Sequence, residues 1–241
     1  SLGAATRQEY NAFGEVIKTV NADNEINLYA YNELGQQYLR AQDVNQNSQI
    51  DLSGTDRITE SASDIINDSE AGIMQRTRTW AYTSDNSDAS TLISTTERTI
   101  NGDYSRTTTA RGISETGVER NGTQVTITTV NPDDSYSVTI TNNGLTQSVT
   151  RYDGDGLQLA KQVMAYDEFN RQTSITEYGA ANSDARVTSY IYNNLGQLIR
   201  VTRPAADSSS QPQMTDYEYD QFGRRDKTIH PDATETHQTY N

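Results

Sequence analysis

Cysteine is absent from the 241 residues, which excludes disulfides, thiolate nucleophiles and Cys-ligated zinc. Proline occurs 4 times, phenylalanine 3 times and tryptophan once, and only 33% of residues are hydrophobic. With a mean hydropathy of −0.81, a thick apolar core is not expected. Basic residues are also in deficit: 19 Lys and Arg face 33 Asp and Glu, a formal charge of −14. Such a surface repels phosphate backbones, so nucleic acid is not expected as a partner. Polybasic clusters for anionic lipid are missing as well. Long apolar runs are lacking too, so no membrane insertion is expected.

Recognisable catalytic motifs are equally scarce. The chain holds no Gly-x-Ser-x-Gly elbow and no phosphate-cradling Gly-rich loop. Neither His230 nor His237 sits in a motif that makes it a base for a serine, and nothing marks two of the acids as a glycosidase pair. The chain reads as non-catalytic.

What is abundant is tyrosine, present 15 times, together with Thr and Ser along the whole length. Thr and Tyr suit a pleated, half-buried surface, whereas segments rich in Ala, Leu, Lys and Glu, the strong helix formers, are few. A disordered chain would seldom carry so many aromatic and β-branched residues. The expected class is all-β.

Internal similarity is the most informative feature. Tyr10-Asn11-Ala12-Phe13-Gly14-Glu15, Tyr31-Asn32-Glu33-Leu34-Gly35-Gln36, Tyr166-Asp167-Glu168-Phe169-Asn170-Arg171, Tyr192-Asn193-Asn194-Leu195-Gly196-Gln197 and Tyr219-Asp220-Gln221-Phe222-Gly223-Arg224 share one internal order. In three of them a second tyrosine stands two residues upstream: Tyr29, Tyr190 and Tyr217. Tyr-x-Tyr puts two rings on one face of a strand, because strand side chains alternate. Asp or Asn then opens a tight turn by bonding its own backbone, and Gly or Asn supplies the positive φ. An alternating segment such as Gln197-Leu198-Ile199-Arg200-Val201-Thr202 follows. Each copy is therefore a strand–turn–strand unit, and the tyrosines of neighbouring copies are expected to stack, Tyr190 and Tyr192 near Tyr217 and Tyr219.

Tyr-[Asp/Asn]-x-x-Gly-[Arg/Gln] at twenty-odd-residue spacing resembles the YD repeat of RHS proteins, toxin-complex shells and teneurins. His230-Pro231-Asp232-Ala233-Thr234 is similar to the family's Pro-Asp-Gly-Thr return turn, with Ala in place of Gly. Clear copies cover about 8–40 and 163–241. Between about 52 and 162 lies a degenerate hairpin meander, with turn signals at Gly102, Gly112, Gly122, Pro132-Asp133, Asn143-Gly144 and Asp153–Gly156. Asp64–Ala71 has the look of a short helix, but strand-like flanks favour a hairpin tip.

The sharpest candidate site is Asp43, Asn45, Asn47, Gln49 and Asp51. They follow the first half of an EF-hand-type calcium loop, with oxygens at positions one, three and five. Ser48 replaces the turn Gly, and Gly54 stands where the bidentate Glu belongs; Asp56 is a substitute if the loop is wider. The alternative is a polar Asx-rich turn. Asp153-Gly154-Asp155-Gly156 has a weaker calcium look, and His230, Asp232, Glu235 and His237 a weaker zinc look. Trp80 with Tyr82, or the tyrosine rows, are candidates for stacking on sugars.

The sequence is thus read as one YD-repeat β-domain over 1–241: a long antiparallel meander of about fifteen or more strands, forming a curled or spiralling sheet. Ser1–Ala5 lack a signal-type h-region, and Tyr240-Asn241 open another copy, as in an internal piece of a longer chain. The resemblance implies a structural scaffold of an extracellular or cell-surface protein, forming an enclosing shell wall. Its partners would be neighbouring repeats and an enclosed C-terminal toxin domain. A carbohydrate- or receptor-binding adhesin surface, with glycans as ligands, is the other expectation.

Overall fold

The computed structural model describes residues 6–82, 85, 87–205 and 211–240. Among them nineteen strands pair antiparallel in one meandering sheet. The all-β expectation holds, since the helical content of the described residues is a single three-residue 3-10 turn, Ala180–Asn182.

Two compact units divide the chain, Ser1–Gly117 and Val118–Asn241. The first contains β1 (Arg7–Tyr10), β2 (Val16–Val20), β3 (Ile26–Tyr31), β4 (Gln37–Asp43), β5 (Arg57–Asp68), β6 (Gly72–Tyr82), β7 (Ser90–Thr99) and β8 (Tyr104–Thr109). Strand β9 (Gly112–Asn121) carries the chain into the second. There follow β10 (Gln124–Val130), β11 (Tyr136–Asn142), β12 (Leu145–Tyr152), β13 (Gln158–Tyr166), β14 (Gln172–Tyr178), β15 (Arg186–Tyr192), β16 (Leu198–Arg203), β17 (Gln213–Tyr219), β18 (Arg225–Ile229) and β19 (Glu235–His237).

One local geometry recurs at many of the hairpins. In the turn opened by Asn11, the Asn11 N–H donates to Glu15 O and the Gly14 N–H to Asn11 O, at 2.9 and 3.1 Å. The fourth residue is left-handed, and the ladder shifts by one residue at the tyrosine just before the turn. This is the three-residue loop built from a type I turn and a left-handed bulge, whose twist matches the strands it joins. Asn21, Asn32, Asn131, Asp153, Asp167, Asn193, Asp220 and His230 open turns with the same pair of backbone bonds. Asn143-Gly144 differs: both residues have positive φ, 50° and 79°, as a two-residue I′ hairpin requires.

Apolar packing concentrates in the first unit. Leu28, Ala41, Ile58 and Tyr82 stand directly opposite one another across β3 to β6. Ala41 is 0% and Ile58 2% exposed, and Leu39, Ile26, Ala30 and Ile50 pack against this row. Along the same face of β5 to β9, Asp64, Arg76, Glu97, Arg106 and Glu115 form a cross-strand column of alternating charge. Arg76 grips Asp64 with two nitrogens, and Arg106 reaches Glu97 at 2.7 Å and Asp68 at 3.3 Å. Met74, 0% exposed, lies one pair away from this column. Burial, and then the Glu115 carboxylate it bonds, pushes the Tyr104 phenol up to about 12. The other face of these strands carries the hydroxyl column Ser63, Thr77, Thr96, Thr107 and Ser114. Strand β5 runs as far as Asp68, so the expected 64–71 tip is confined to Ser69–Ala71, closed by two backbone N–H bonds to Asp68 Oδ1.

Candidate functional site

The repeat residues build a spine along one row of turns. In each of the five copies the Asx Oδ1 accepts backbone N–H groups from two and four residues on, at 2.9–3.0 Å: Asn11, Asn32, Asp167, Asn193 and Asp220. The remaining Asx atom pairs with the side chain four residues on, and the pairing is matched. Asn11, Asn32 and Asn193 donate from Nδ2 to Glu15, Gln36 and Gln197. Asp167 and Asp220 instead accept from Arg171 and Arg224 Nε at 2.7 and 2.8 Å. Burial opposes ionisation of Asp167 and Asp220, yet these backbone and guanidinium donors hold both carboxyls below the usual range. The interchange of Asp and Asn between copies is thus a change of partner, and the sequence carries the signal in the residue four positions later.

Successive copies are joined through the tyrosine. Tyr31 donates to Val16 O, Tyr192 to Gln172 O, Tyr219 to Leu198 O and Tyr240 to Arg225 O, at 2.7–2.9 Å. Each acceptor lies five residues past the Asx of the preceding turn. Tyr166 likewise reaches Thr146 O, just beyond the Asn143-Gly144 turn, at 2.8 Å. The expected ring-on-ring stacking of Tyr190 and Tyr192 with Tyr217 and Tyr219 is replaced by these bonds. A return strand separates consecutive tyrosine strands, β16 lying between β15 and β17. Two strand spacings are roughly 9.6 Å, beyond ring contact. Where the copy carries Arg, its guanidinium lies between the turn ring and the next tyrosine: Arg171 is 5.0 Å from the Phe169 ring centre and 4.8 Å from that of Tyr192, and Arg224 lies likewise between Phe222 and Tyr240.

Gly35 and Gly223 lie against flexible side-chain ends of the preceding turn. A Cβ on Gly35 would meet Glu15 Oε1 at 2.9 Å, and one on Gly223 would meet Gln197 Nε2 at 3.2 Å. In both cases the intruder comes from the preceding turn. The turn hydrophobes Phe13, Leu34, Phe169, Leu195 and Phe222 are exposed, 68% or more, rather than core.

A further copy of the turn escapes the sequence pattern: Tyr152-Asp153-Gly154-Asp155-Gly156. Asp153 Oδ1 accepts from Asp155 and Leu157 N–H at 3.1 and 2.8 Å, and Gly156 has φ 83°. Asp155 occupies the Phe/Leu position and Leu157 the polar one, which hides it. Its tyrosine stacks on Tyr136, centroids 4.5 Å apart and 14° from parallel.

The loop after β4 brings together most of the predicted calcium residues. Asp43, 3% exposed, accepts Asn47 and Ser48 N–H, and Asp51 accepts the Asn45 and Asn47 amides at 2.8 and 2.7 Å. These amide bonds hold the Asp51 carboxyl below its ordinary range. Gln49 joins through its backbone N–H to Asn47 Oδ1. Gln46 and Ser48 are left-handed, φ 60° and 62°, so Ser48 takes the conformation of the Gly it replaces. Asp56, 4% exposed, ties the loop's two ends by accepting Val44 and Asp51 N–H. Ile50 packs onto the Leu28–Ala41–Ile58 row. The loop is therefore a cover for the core of the first unit, with its carboxylates answered by its own donors. Among the described residues no group of three His, Asp or Glu side chains is placed to hold a metal. His230 bonds Thr236 and His237 bonds Glu235. Trp80 is half-buried, with Arg78 over its ring at 5.4 Å.

No family model matches the chain, and no curated protein matches it. Among solved structures it is similar to TcdB2-TccC3, with 12% identity and a TM-score of 0.34, covering 93% of this chain and 14% of that one. A porin-like protein of Bacteroides uniformis has 15% identity and a TM-score of 0.25, with 70% and 86% covered. The Tc holotoxin pore of Photorhabdus luminescens has 12% identity and a TM-score of 0.21, with 95% and 19% covered. The chain thus spans 14% of the TcdB2-TccC3 chain. No helix among the described residues is long and apolar enough to cross a membrane.

Proposed function

We propose that the chain is a non-catalytic structural scaffold of YD-repeat type, part of a larger extracellular or cell-surface protein in which such hairpins form an enclosing wall. The tyrosine–carbonyl spine carries this reading. The copies at Tyr31, Tyr192 and Tyr219 each bind the previous copy through a main-chain acceptor, which any residue supplies, so copies add in series whatever their strand faces present. That economy suits a wall and leaves both sheet faces free to vary. Neighbouring repeats are the first partners, and an enclosed C-terminal toxin domain or surface glycans the further ones. The test is limited proteolysis of the parent protein with Tyr192→Ala and Tyr219→Ala together. A scaffold role predicts rapid cleavage within and beyond this segment while the remote domains stay folded. Unchanged proteolysis, or substrate turnover by the purified chain, overturns it. A glycan array on the same chain addresses the adhesin role directly.

Calcium in the 43–51 loop is a secondary proposal, supported by the convergence of Asp43, Asn45, Asn47 and Asp51. Binding needs the two Asn amides to turn their oxygens inward in place of the nitrogens that now face Asp51. Millimolar calcium should raise the melting temperature of chelator-stripped protein, and Asp51→Ala should abolish the rise. No shift in the parent chain means that the loop is a core cover only.

A further inference from the structure

Three turns carry phenylalanine two residues past the Asx, and each is followed by the tyrosine of another copy: Phe13 by Tyr31, Phe169 by Tyr192 and Phe222 by Tyr240. The tyrosine is fixed identically each time, its hydroxyl on the carbonyl five residues past the Asx, that of Val16, Gln172 or Arg225. In the second and third pairs the turn's own arginine lies between the rings. Arg171 Cζ is 5.0 and 4.8 Å from the two ring centres, and Arg224 Cζ 5.2 and 4.6 Å. In the first pair that position holds Glu15. Its Oε2 accepts from Asn11 Nδ2, and its Oε1 lies 2.9 Å from where a Cβ on Gly35 would stand, as Arg171 Nη1 lies 3.5 Å from the same point on Gly196. Glu15 thus takes the arginine's place against the next turn but brings no cation to the rings. What remains is a cavity of about 560 Å³, lined by Phe13, Ile17, Tyr29 and Tyr31 and by the acids Glu15 and Glu33, with no lysine or arginine among its lining residues.

We propose that this slot between the Asn11 and Asn32 turns binds the guanidinium of an arginine side chain carried by a partner polypeptide. The chain itself specifies the group, because twice it places a guanidinium between the same two rings. Ring faces attract a cation, and a planar guanidinium can lie against an aromatic ring while giving N–H bonds to a carboxylate. A lysine ammonium is a compact, strongly hydrated point charge and suits the slot less well. Where the internal copies supply the cation themselves, the first copy supplies two carboxylates, so the complementary charge comes from outside. The formal charge of −14 draws a basic segment towards the surface. The outer wall decides for a side chain over a free ion. Phe13 is 89% and Ile17 36% exposed, an apolar surface along which the methylene stem of an arginine can lie.

The slot is complete whether or not the copies build a wall, so it stands or falls apart from the scaffold role. The full chain is titrated with the peptide acetyl-Gly-Arg-Gly-amide, and backbone NMR shifts are followed. Saturable shifts confined to residues 11–17 and 29–35 are expected at about millimolar peptide. The citrulline peptide, equal in shape but uncharged, should give none, and the lysine peptide should bind several-fold more weakly. Phe13→Leu places in this turn the residue that Leu34 and Leu195 already supply in two others, and it should weaken the arginine peptide about five-fold. Asn11→Asp with Glu15→Arg rebuilds the Asp167–Arg171 pairing, fills the slot from within and should abolish binding while the β-spectrum is kept. Absence of saturable shifts at about 20 mM peptide, shifts spread over other acidic faces, or equal binding of the citrulline or lysine peptide overturns the proposal. So does an affinity indifferent to Phe13→Leu. Free guanidinium that binds as tightly as the peptide overturns the polypeptide source.

Discussion

Strands β13 to β18 and strands β5 to β8 solve the same problem by different means. The former are five to nine residues long and are tied by bonds at their ends: Asx turns, tyrosine hydroxyls on main-chain carbonyls, and Arg or Gln reaching the next turn. Strands β5 to β7 run 12, 11 and 10 residues and so pair at many positions, and they are crossed by the charge column on one face and the hydroxyl column on the other. A short strand offers few cross-strand pairs, each worth only about 0.2–1 kcal/mol, so its turns must fix the register. A long strand collects enough pairs to do without that device. Losing the repeat motif in the middle of the chain is therefore a change of fastening within one meander.

The difference is exposed most strongly by emptying the Leu28–Ala41–Ile58 row. Ile58→Ala should destabilise the first unit by about 3 kcal/mol, seen as faster amide exchange in β3 to β6, with β13 to β18 unaffected. Equal loosening in both regions would show that they fold as one cooperative block. In the turn-fastened region, Gly223→Val combines a φ of 78° with intrusion on Gln197, and about 1–3 kcal/mol of destabilisation is expected. A neutral outcome on thermal melting would deny the turn its role. Tyr219→Phe removes the bond to Leu198 O and should cost about 1 kcal/mol, whereas Tyr10→Phe should cost almost nothing. Equal losses would break the distinction between a tyrosine joined to an upstream carbonyl and one bonded to Gln8 on its own strand.

Acid gives the gentlest comparison. The Arg76 guanidinium holds the Asp64 carboxyl below its usual range, and backbone donors from Ala71 and Glu70 do the same for Asp68. A depressed carboxyl contributes stability that is complete above about pH 4 and is lost as pH falls through its folded value. Below that point Arg76 keeps its charge beside a neutral Asp64, and Arg106 loses its pairing with Asp68. Amide exchange in β5 to β8 should then rise sooner than in β11 and β12, strands without a carboxylate that are joined by the uncharged Asn143-Gly144 turn. Simultaneous onset in an acid titration would reduce the charge column to a surface ornament.

Much of this was legible because tight turns are local. The left-handed residue, the Asx that answers two N–H groups and the alternation of each strand are settled within six residues, and the five copies could be lined up by eye. Asp153–Gly156 is legible as a turn, but not as a copy of the repeat turn, since its variable positions have lost their usual types while the backbone logic at Asp153 and Gly156 survives. Stacked tyrosines were expected because two rings on one face suggest a ladder; the interposed return strand, which only pairing reveals, forbids it. The Asp43–Asp51 segment showed its ligand-like spacing in the sequence, but not that Ile50 covers Ala41 and Ile58 or that Asp56 closes the loop from beyond it.

By itself the sequence determined the class, the hairpin grammar and the phase of each strand, all consequences of steric and hydrogen-bonding preferences spanning a few residues. Which strand edges meet, which carbonyl each tyrosine finds, and that Asp64, Arg76, Glu97, Arg106 and Glu115 fall into one column were decided by tertiary structure alone. Those contacts depend on the register between strands. That register is accumulated turn by turn, and a single bulge at any tyrosine moves every side chain that follows.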